Sequence, residues 1–315
     1  MSAQVSIPGG LAATIAGVYG ERGRVWVAEA PRIISAACDR WGVDLAEPFE
    51  LLSYNYVAPG VLRDGARVVV KAGVPSQEMA WEISALRHFA GESAVRLLDA
   101  DPGGAALLLE RIEPGSTLSA LGDDGQETRI AARVMRRLWR PGTLDVDLPS
   151  LAYLFDAFRR LRERHGGGPG PLPGDLLQRA EEEVAGLLGT APSPMVLHGD
   201  FHHGNVLWDA ERGWVVIDPP GAIGDPAAEP GMFLCNPHDR IAWTGDLPAL
   251  MRRRIDIIAG EAELDAGRVT RWGFAWALLS ACWHDEDGTG GEAFAMRCAR
   301  ALAAVADAMQ PGKEG

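Results

Sequence analysis

The first part of the chain changes from a helical to a strand-like pattern of apolar positions. Between Arg24 and Trp41 apolar residues recur at steps of three and four, which predicts an amphipathic helix. From Phe49 come the apolar runs FELLSYNYVAPGVL and ARVVVKAGV, and the turn residues RDG between them predict two antiparallel strands. A helix is predicted in PSQEMAWEISALRHFAG, which ends at Gly91. A second pair of strands is predicted in AVRLLDAD and AALLLERI, around a Pro-Gly-Gly turn.

Beyond Glu113 helical periodicity dominates, with one β-rich segment in which NVLW and WVVI flank the turn DAERG. We predict an α+β chain with a small β-rich lobe that also contains helices (residues 1–113), a larger, mainly helical lobe (114–309) and a tail (310–315). The stretch HGGGPGPLPGD could be a domain linker or a loop, and similar helices on both sides favour the loop. The predicted helices of the larger lobe are Gln126 to Arg140, Ser150 to His165, Asp175 to Leu188, Leu247 to Ala259, Ala266 to Trp283 and Gly291 to Ala308.

Composition narrows the class of protein. The 315 residues are 47% apolar and carry a net charge of −13, which argues against a nucleic-acid partner and mildly favours a cationic one. No apolar run is long enough for a membrane helix, and the first residues do not form a signal peptide. Four widely spaced cysteines without a CxxC pair indicate a reduced, cytoplasmic protein. The oligomeric state, monomer or weak dimer, does not follow from the sequence.

The segment HGDFHHGN, from His198 to Asn205, allows two interpretations. His198 and His202 could bind a metal, but a spacing of four presents two ligands on one face only in a helix, and the glycines here indicate a loop. The alternative is phosphoryl transfer. In it Asp200 receives or orients the proton of an acceptor hydroxyl, while Asn205 and, beyond the hairpin, Asp218 hold a metal ion.

Two further residue types required for phosphoryl transfer lie upstream, in the expected order. Lys71 ends a predicted strand, and the next predicted helix carries Glu78 and Glu82 on one face. A lysine at a strand end is usually solvated, so the assignment of Lys71 depends on the whole constellation. Of the two glutamates, we expect Glu78 to pair with it.

The sequence resembles the aminoglycoside phosphotransferases, which share the bilobal protein-kinase-like fold. HGDFHHGN is similar to their HGDxHxxN catalytic loop, and VIDPPGAIGDPAAEP is similar to the IDPxxxxGDPxxE segment of the streptomycin 6-phosphotransferase and hydroxyurea phosphotransferase branch. The resemblance extends from about Ile7 to Ala308. It implies an enzyme that transfers phosphate from ATP to an alcohol group, with Mg²⁺ as the metal and ATP in the cleft.

The resemblance also implies individual roles. Asp200 would be the catalytic aspartate, with Asn205 and Asp218 as Mg²⁺ ligands. Lys71, paired with Glu78, would hold the α- and β-phosphates. The remaining implied nucleotide-side residues are the hinge Glu110, Arg111 and Ile112, which would bond adenine through the backbone, His198 as a scaffold, and His202 as a brace of the loop.

The sequence departs from the kinase pattern at two places. The first hairpin lacks GxGxxG; a loop with Gly60 alone could still cover the phosphates, and the sequence does not define which backbone N–H groups would do so. Asp218 is followed by Pro219 and Pro220, so regulation through a mobile segment at this point is not implied. His203, within the catalytic segment, is expected to be exposed.

Acidic residues late in the chain are candidates for binding a cationic acceptor. They could simply be solvated, but carboxylates also form charge-assisted bonds with ammonium or guanidinium groups. The acceptor candidates are Asp225, Glu229 and Asp287, together with Trp283, which lies where the resembling family builds its acceptor pocket.

The function predicted from the sequence is resistance to an antibiotic through phosphorylation of an aminoglycoside, with streptomycin as the leading acceptor. One alternative keeps the chemistry and changes the acceptor to hydroxyurea or an endogenous small metabolite. Another is a nucleotide-binding protein without turnover. Whether GTP can replace ATP does not follow from the sequence.

Overall fold

A computed structural model describes residues 5–101, 103, 106–142 and 146–309. The predicted tail, residues 310–315, lies outside them. Clustering of contacts divides the chain into two compact units, Met1–Gly115 and Ser116–Gly315. The predicted boundary lay after Glu113, and the functions predicted for the two lobes stay predictions.

The first unit begins with a long helix, α1 (Gly9–Trp41), which is kinked at Gly20, where φ is 57°. The prediction began this helix only at Arg24. The earlier turns bury Leu11 and Ile15, too few apolar residues for a clear period. Gly23 permits the close packing at the kink, because a Cβ there would lie 2.3 Å from the Ile15 carbonyl oxygen.

A five-stranded antiparallel sheet with the order β1-β2-β3-β5-β4 forms the rest of the first unit, together with helix α2. Its core combines Trp26 and Ile34 of α1 with Tyr56, Val68 and Val70 of the sheet. The bounds are β1 (Val43–Leu45), β2 (Tyr56–Leu62), β3 (Arg67–Ala72), α2 (Gln77–Phe89), β4 (Leu97–Ala100) and β5 (Ala106–Glu110). Both predicted pairs of strands are therefore present.

Helices make up most of the second unit. The helix predicted from Ser150 to His165 is divided at Asp156, whose carboxylate bonds Arg159 of the following turn. Residues 165–173, which could have been a domain linker, form a loop within this unit. The helices are α3 (Asp124–Leu138), α4 (Leu151–Phe155), α5 (Ala157–Arg164), α6 (Gly174–Gly189), α7 (Pro230–Leu234), α8 (His238–Trp243), α9 (Leu247–Ala262), α10 (Ala266–Asp287) and α11 (Glu292–Met309).

Short strands in the second unit carry the predicted catalytic segment. They are β6 (Pro114–Thr117), whose last two residues belong to this unit, β7 (Arg140–Pro141), β8 (Met195–Leu197), β9 (Val206–Asp209), β10 (Gly213–Val216) and β11 (Ala222–Gly224). They form two sheets, with the orders β10-β9-β6 and β11-β8-β7. The predicted hairpin is β9 and β10.

The core of the second unit is aromatic around α10. Phe155 lies 5.3 Å from Trp272 and 5.5 Å from Trp276, measured between ring centroids. These contacts fix α10 against α4. Within the described ranges, no helix is both long and apolar enough to cross a bilayer.

Candidate active site

In the first unit, the predicted nucleotide-side residues include a buried ion pair. Lys71 lies in β3, between β2 and β5, and only 4% of its surface is exposed. Its ammonium group lies 2.7 Å from each carboxylate oxygen of Glu82. Because a buried charge is costly unless paired, this contact fixes the position of the Lys71 side chain.

The predicted pairing of Lys71 with Glu78 is wrong in this structure. The buried face of α2 consists of Met79, Glu82, Ile83 and Leu86, at the spacing expected for one helical stripe. Glu82 belongs to this stripe, whereas Glu78 lies in the first turn and is exposed. Both glutamates share a helical face in sequence, but only the deeper one reaches the sheet.

The predicted hinge follows directly from β5. The Glu110 N–H donates to Arg96 O at 3.0 Å, and the Arg111 N–H donates to Arg67 O at 3.2 Å. These two donors are already bonded within the unit. The prediction that this segment hydrogen-bonds adenine through its backbone stays a prediction.

Gly60 does not lie in a phosphate-covering loop. It is paired within the sheet, opposite Leu45 of β1 and Val68 of β3. A Cβ at this position would lie 2.5 Å from Val43 Cγ1. The glycine is thus explained by the close approach of β1, and the predicted role of Gly60 is corrected.

In the second unit, the predicted phosphoryl-transfer residues lie in and after the segment from His198 to Asn205, here called the catalytic loop, which follows β8. Gly199 has φ of +87°, and a Cβ on it would lie 3.3 Å from the Gly221 backbone. Glycine is required for both reasons. The buried Glu229 fixes the same turn, because its carboxylate accepts the His198 N–H at 2.7 Å and the Gly199 N–H at 3.0 Å.

His198 is a buried, neutral scaffold for the catalytic loop. Its Nε2 donates to Ile217 O at 2.8 Å, and its Nδ1 accepts the Asp200 N–H at 3.2 Å, which together define one tautomer. Burial lowers the pKa of His198 to about 4. The ring therefore links the Asp200 backbone N–H to the Ile217 carbonyl, which directly precedes Asp218.

Asp200 and Asn205 lie together in this loop, Asp200 partly exposed and Asn205 buried. The Asn205 amide nitrogen donates to Asp200 O at 3.0 Å and lies 3.4 Å from the Asp200 carboxylate. The Asp200 side chain is 39% exposed. The carboxylate can therefore reach a substrate hydroxyl.

The hairpin brings Asp218 to the same place. The Ile217 N–H donates to Asn205 O at 2.9 Å, which continues the β9–β10 register and places Asp218 one residue beyond this contact. Asp218 has φ of +54°, an uncommon conformation for a residue other than glycine. The three residues predicted for phosphoryl transfer in this unit are thus brought together.

The two other histidines of the loop have different environments. His202 caps the following turn, accepting the Gly204 N–H on Nδ1 at 3.0 Å, which agrees with a bracing role. His203 was predicted to be exposed, and this is wrong, since it is 1% exposed. Its neighbours in sequence are polar, so only the tertiary contacts reveal its burial.

Asn205 and Asp218 fit Mg²⁺ by donor type. Mg²⁺ is usually held by one or two protein oxygens while water and phosphate oxygens complete its shell. Because the Asn205 amide nitrogen is used internally, its oxygen is the atom that can face a cation. Within the described residues, no group of three or more acidic, histidine or cysteine side chains is suitably placed to hold a metal, so the histidine-metal interpretation has no support from the geometry.

Residues 46–288 match the family model described as aminoglycoside/hydroxyurea antibiotic resistance kinase. The chain belongs to this family. As a family member it is a phosphotransferase that uses a hydroxyl group as acceptor, and the predicted resemblance is confirmed.

Two curated relatives of this kinase cover nearly the whole chain. It is 32% identical to a streptomycin 6-kinase of Streptomyces griseus, over 91% of this chain and 93% of that protein. It is 31% identical to a hydroxyurea phosphotransferase of Kitasatospora aureofaciens, over 91% and 83% of the two chains. The family is therefore clear, while relatives with different acceptors match about equally well by identity.

A solved structure shows the fold. The kinase is similar, with a TM-score of 0.61 and 16% identity, to a thermostable mutant of an aminoglycoside phosphotransferase in ternary complex with ADP and hygromycin B. The match covers 88% of this chain and 99% of that one. The predicted α+β, protein-kinase-like fold is confirmed.

Two predicted acceptor residues of this kinase have internal partners instead. Asp225 is 2% exposed, and its carboxylate accepts bonds from the Trp272 indole at 2.6 Å, from Ala227 N at 3.0 Å and from Arg268. Glu229 is 3% exposed and is engaged by the loop, and burial raises its pKa to about 7 despite the two backbone donors. Neither carboxylate faces a ligand, so both predictions are corrected.

The three acids at the end of α10 differ in their contacts. Asp285 and Glu286 are bonded by Arg164, at 3.1 and 3.2 Å, whereas Asp287 is exposed and its pKa is raised by partial burial and by neighbouring Glu286. Trp283 is partly buried and lies edge-on to Trp276, 5.9 Å away. A role of Trp283 and Asp287 in acceptor binding stays a prediction.

Proposed function

We propose that this kinase transfers the γ-phosphate of ATP to a hydroxyl of an aminoglycoside, and that streptomycin is its acceptor. The observation that carries the proposal is the catalytic loop, in which an exposed Asp200 carboxylate is held beside Asn205 by a buried framework. Similarity to a streptomycin 6-kinase over 91% of the chain supports the acceptor.

In the proposed mechanism each residue has a defined task. Asp200 orients the acceptor hydroxyl for in-line attack and receives its proton. Asn205 and Asp218 would hold Mg²⁺, which would supply positive charge to offset that of the nucleotide phosphates. Lys71, fixed by Glu82, contacts the α- and β-phosphates and stabilises negative charge as ADP leaves.

Hydroxyurea is a second candidate acceptor, because a hydroxyurea phosphotransferase is 31% identical over 91% of the chain. Hydroxyurea is neutral and small, whereas streptomycin carries guanidinium groups. An exposed carboxylate such as Asp287 would therefore favour streptomycin.

The test is ADP release from Mg²⁺-ATP with streptomycin, hydroxyurea, other aminoglycosides or choline as acceptor. We expect turnover with streptomycin and a loss of about 10²-fold or more in Asp200→Asn. Asp256→Asn, the same substitution at an exposed position of α9, is the matched control. Turnover with hydroxyurea alone would transfer the assignment to that acceptor, and ATP binding without turnover on any acceptor would contradict the proposal.

A further inference from the structure

His203 begins the turn that carries Asn205. The turn is a single 3₁₀ segment, His203–Asn205, and the imidazole points away from the exposed face into the core. There it stacks on Phe233 of α7, with ring centroids 4.1 Å apart and planes 12° from parallel. The contact thus ties the backbone of the loop to a neighbouring helix.

The Phe233 platform is itself fixed by buried Arg254 of α9. Arg254 is fully buried and donates to the carbonyls of Phe233 at 3.2 Å, Leu234 at 3.0 Å and Asn236 at 2.6 Å. Its charge is offset by Asp124, which lies 2.9 Å from Nε and 2.5 Å from a terminal nitrogen. Three helices therefore hold the surface on which His203 stacks.

The ring is not held by hydrogen bonds. Both ring nitrogens are buried and have no hydrogen-bond partner among the residues that the structure describes, although Nε2 lies 3.5 Å from the Glu127 carboxylate. That carboxylate is fully buried and bonded to Arg240. A buried polar group without partners is costly, so the contribution of His203 must come from the shape and stacking of its ring.

We propose that His203 is a positioning residue: its stack on Phe233 fixes the turn so that the Asn205 amide oxygen faces the metal bound with the nucleotide. The inference rests on the proposed function of Asn205. Removal of the ring would leave a cavity behind the turn, and Asn205 could then move while its own side chain stays intact. Residues that orient a metal ligand typically contribute 10- to 100-fold to affinity.

The experiment measures binding of Mn²⁺-ADP, by electron paramagnetic resonance of the free metal ion, to the full chain without any acceptor. We expect His203→Ala to weaken this affinity about tenfold. His203→Phe keeps a planar ring and removes the unbonded nitrogens. Its Mn²⁺-ADP affinity should lie within about twofold of that of the unmodified chain, and its melting temperature should be higher than that of the unmodified chain.

The control is His238→Ala, which removes an exposed histidine ring outside the loop that lies 4.4 Å from the Phe294 ring, with the two planes tilted by 41°. Unchanged Mn²⁺-ADP affinity in a folded His203→Ala variant would overturn the inference alone. Equal losses in His203→Phe and His203→Ala would overturn the stacking account. Absence of Mn²⁺-ADP binding in the unmodified chain would instead overturn the proposed function.

Discussion

The catalytic loop and the end of α10 both contain acidic residues predicted to act on substrate, but their side chains are arranged by different means. In the loop, the residues that hold Asp200 lie within a few positions in sequence or on the adjoining hairpin. At the end of α10, neighbouring carboxylates are bonded by arginines from α5, far away in sequence. A contiguous motif therefore defines much of its own geometry, with Glu229 and Phe233 as distant supports, whereas scattered acids acquire their roles only from tertiary partners.

The largest effect should come from Glu82, the internally bonded acid of the first unit. In Glu82→Gln, Lys71 becomes a buried charge without full compensation, and loss of one partner of a buried pair costs about 3 kcal/mol or more. We expect a lower melting temperature and a marked fall in kcat/KM for ATP. Glu78→Gln, one turn earlier and exposed, is the control. A larger effect in Glu78→Gln than in Glu82→Gln would support the original prediction that Lys71 pairs with Glu78.

Glu229 tests whether the loop depends on its buried support. Glu229→Gln replaces a carboxylate that accepts two backbone N–H groups by an amide that can accept only through its oxygen. Loss of such a charge-assisted bond costs about 2 kcal/mol, and we expect kcat to fall on the order of 10-fold. The KM for the acceptor should change little if Glu229 does not touch it. Glu163→Gln, at an exposed position, serves as the control. If Glu229→Gln raised only the KM for the acceptor, the result would support the original prediction that Glu229 binds the acceptor.

Much of this site follows from the sequence because its spacing is local. The order Lys71, Asp200, Asn205 and Asp218 with a strand, turn and strand between the last two is sufficient to predict the hairpin that brings Asn205 and Asp218 together. The long helices α3, α6, α9, α10 and α11 are also predicted, because each has a long apolar period, whereas the short α7 and α8 are missed and one predicted helix is divided into α4 and α5.

The remaining features depend on partners that a linear pattern does not reveal. Glu78 and Glu82 share a helical face, and only the packing of α2 on the sheet distinguishes them. Asp225 is explained by Arg268 and Trp272, about 45 residues away, so no local signal marked it as buried. In the sequence, the helical spacing of the apolar residues Met79, Ile83 and Leu86 was the signal that could have favoured Glu82, because Glu82 lies on the same stripe.

Asp124 is bonded by Arg254, which also donates to the Phe233 carbonyl next to the catalytic loop. Burial alone would raise its pKa, but bonds from Arg254 and Arg253 lower the pKa to about 2. The folded state therefore binds fewer protons than the unfolded state, and stability contributed above about pH 4 is lost as pH falls through about 2. We expect Asp124→Asn to flatten the acid limb of a pH series of melting temperatures, and Asp256→Asn to leave it unchanged. An equally steep limb in Asp124→Asn would contradict this account.

The smallest effect should distinguish the exposed acid at the end of α10 from its bonded neighbour. Exposed ion pairs contribute about 1 kcal/mol or less, so Asp287→Asn should raise the KM for streptomycin about fivefold and leave kcat unchanged. Hydroxyurea carries no cationic group, so its KM should not change. Asp285→Asn removes a carboxylate already bonded by Arg164 and His165 and should lower stability without changing either KM. If both variants raise the streptomycin KM equally, internal pairing does not decide which acid meets the acceptor, and the contrast with the catalytic loop fails.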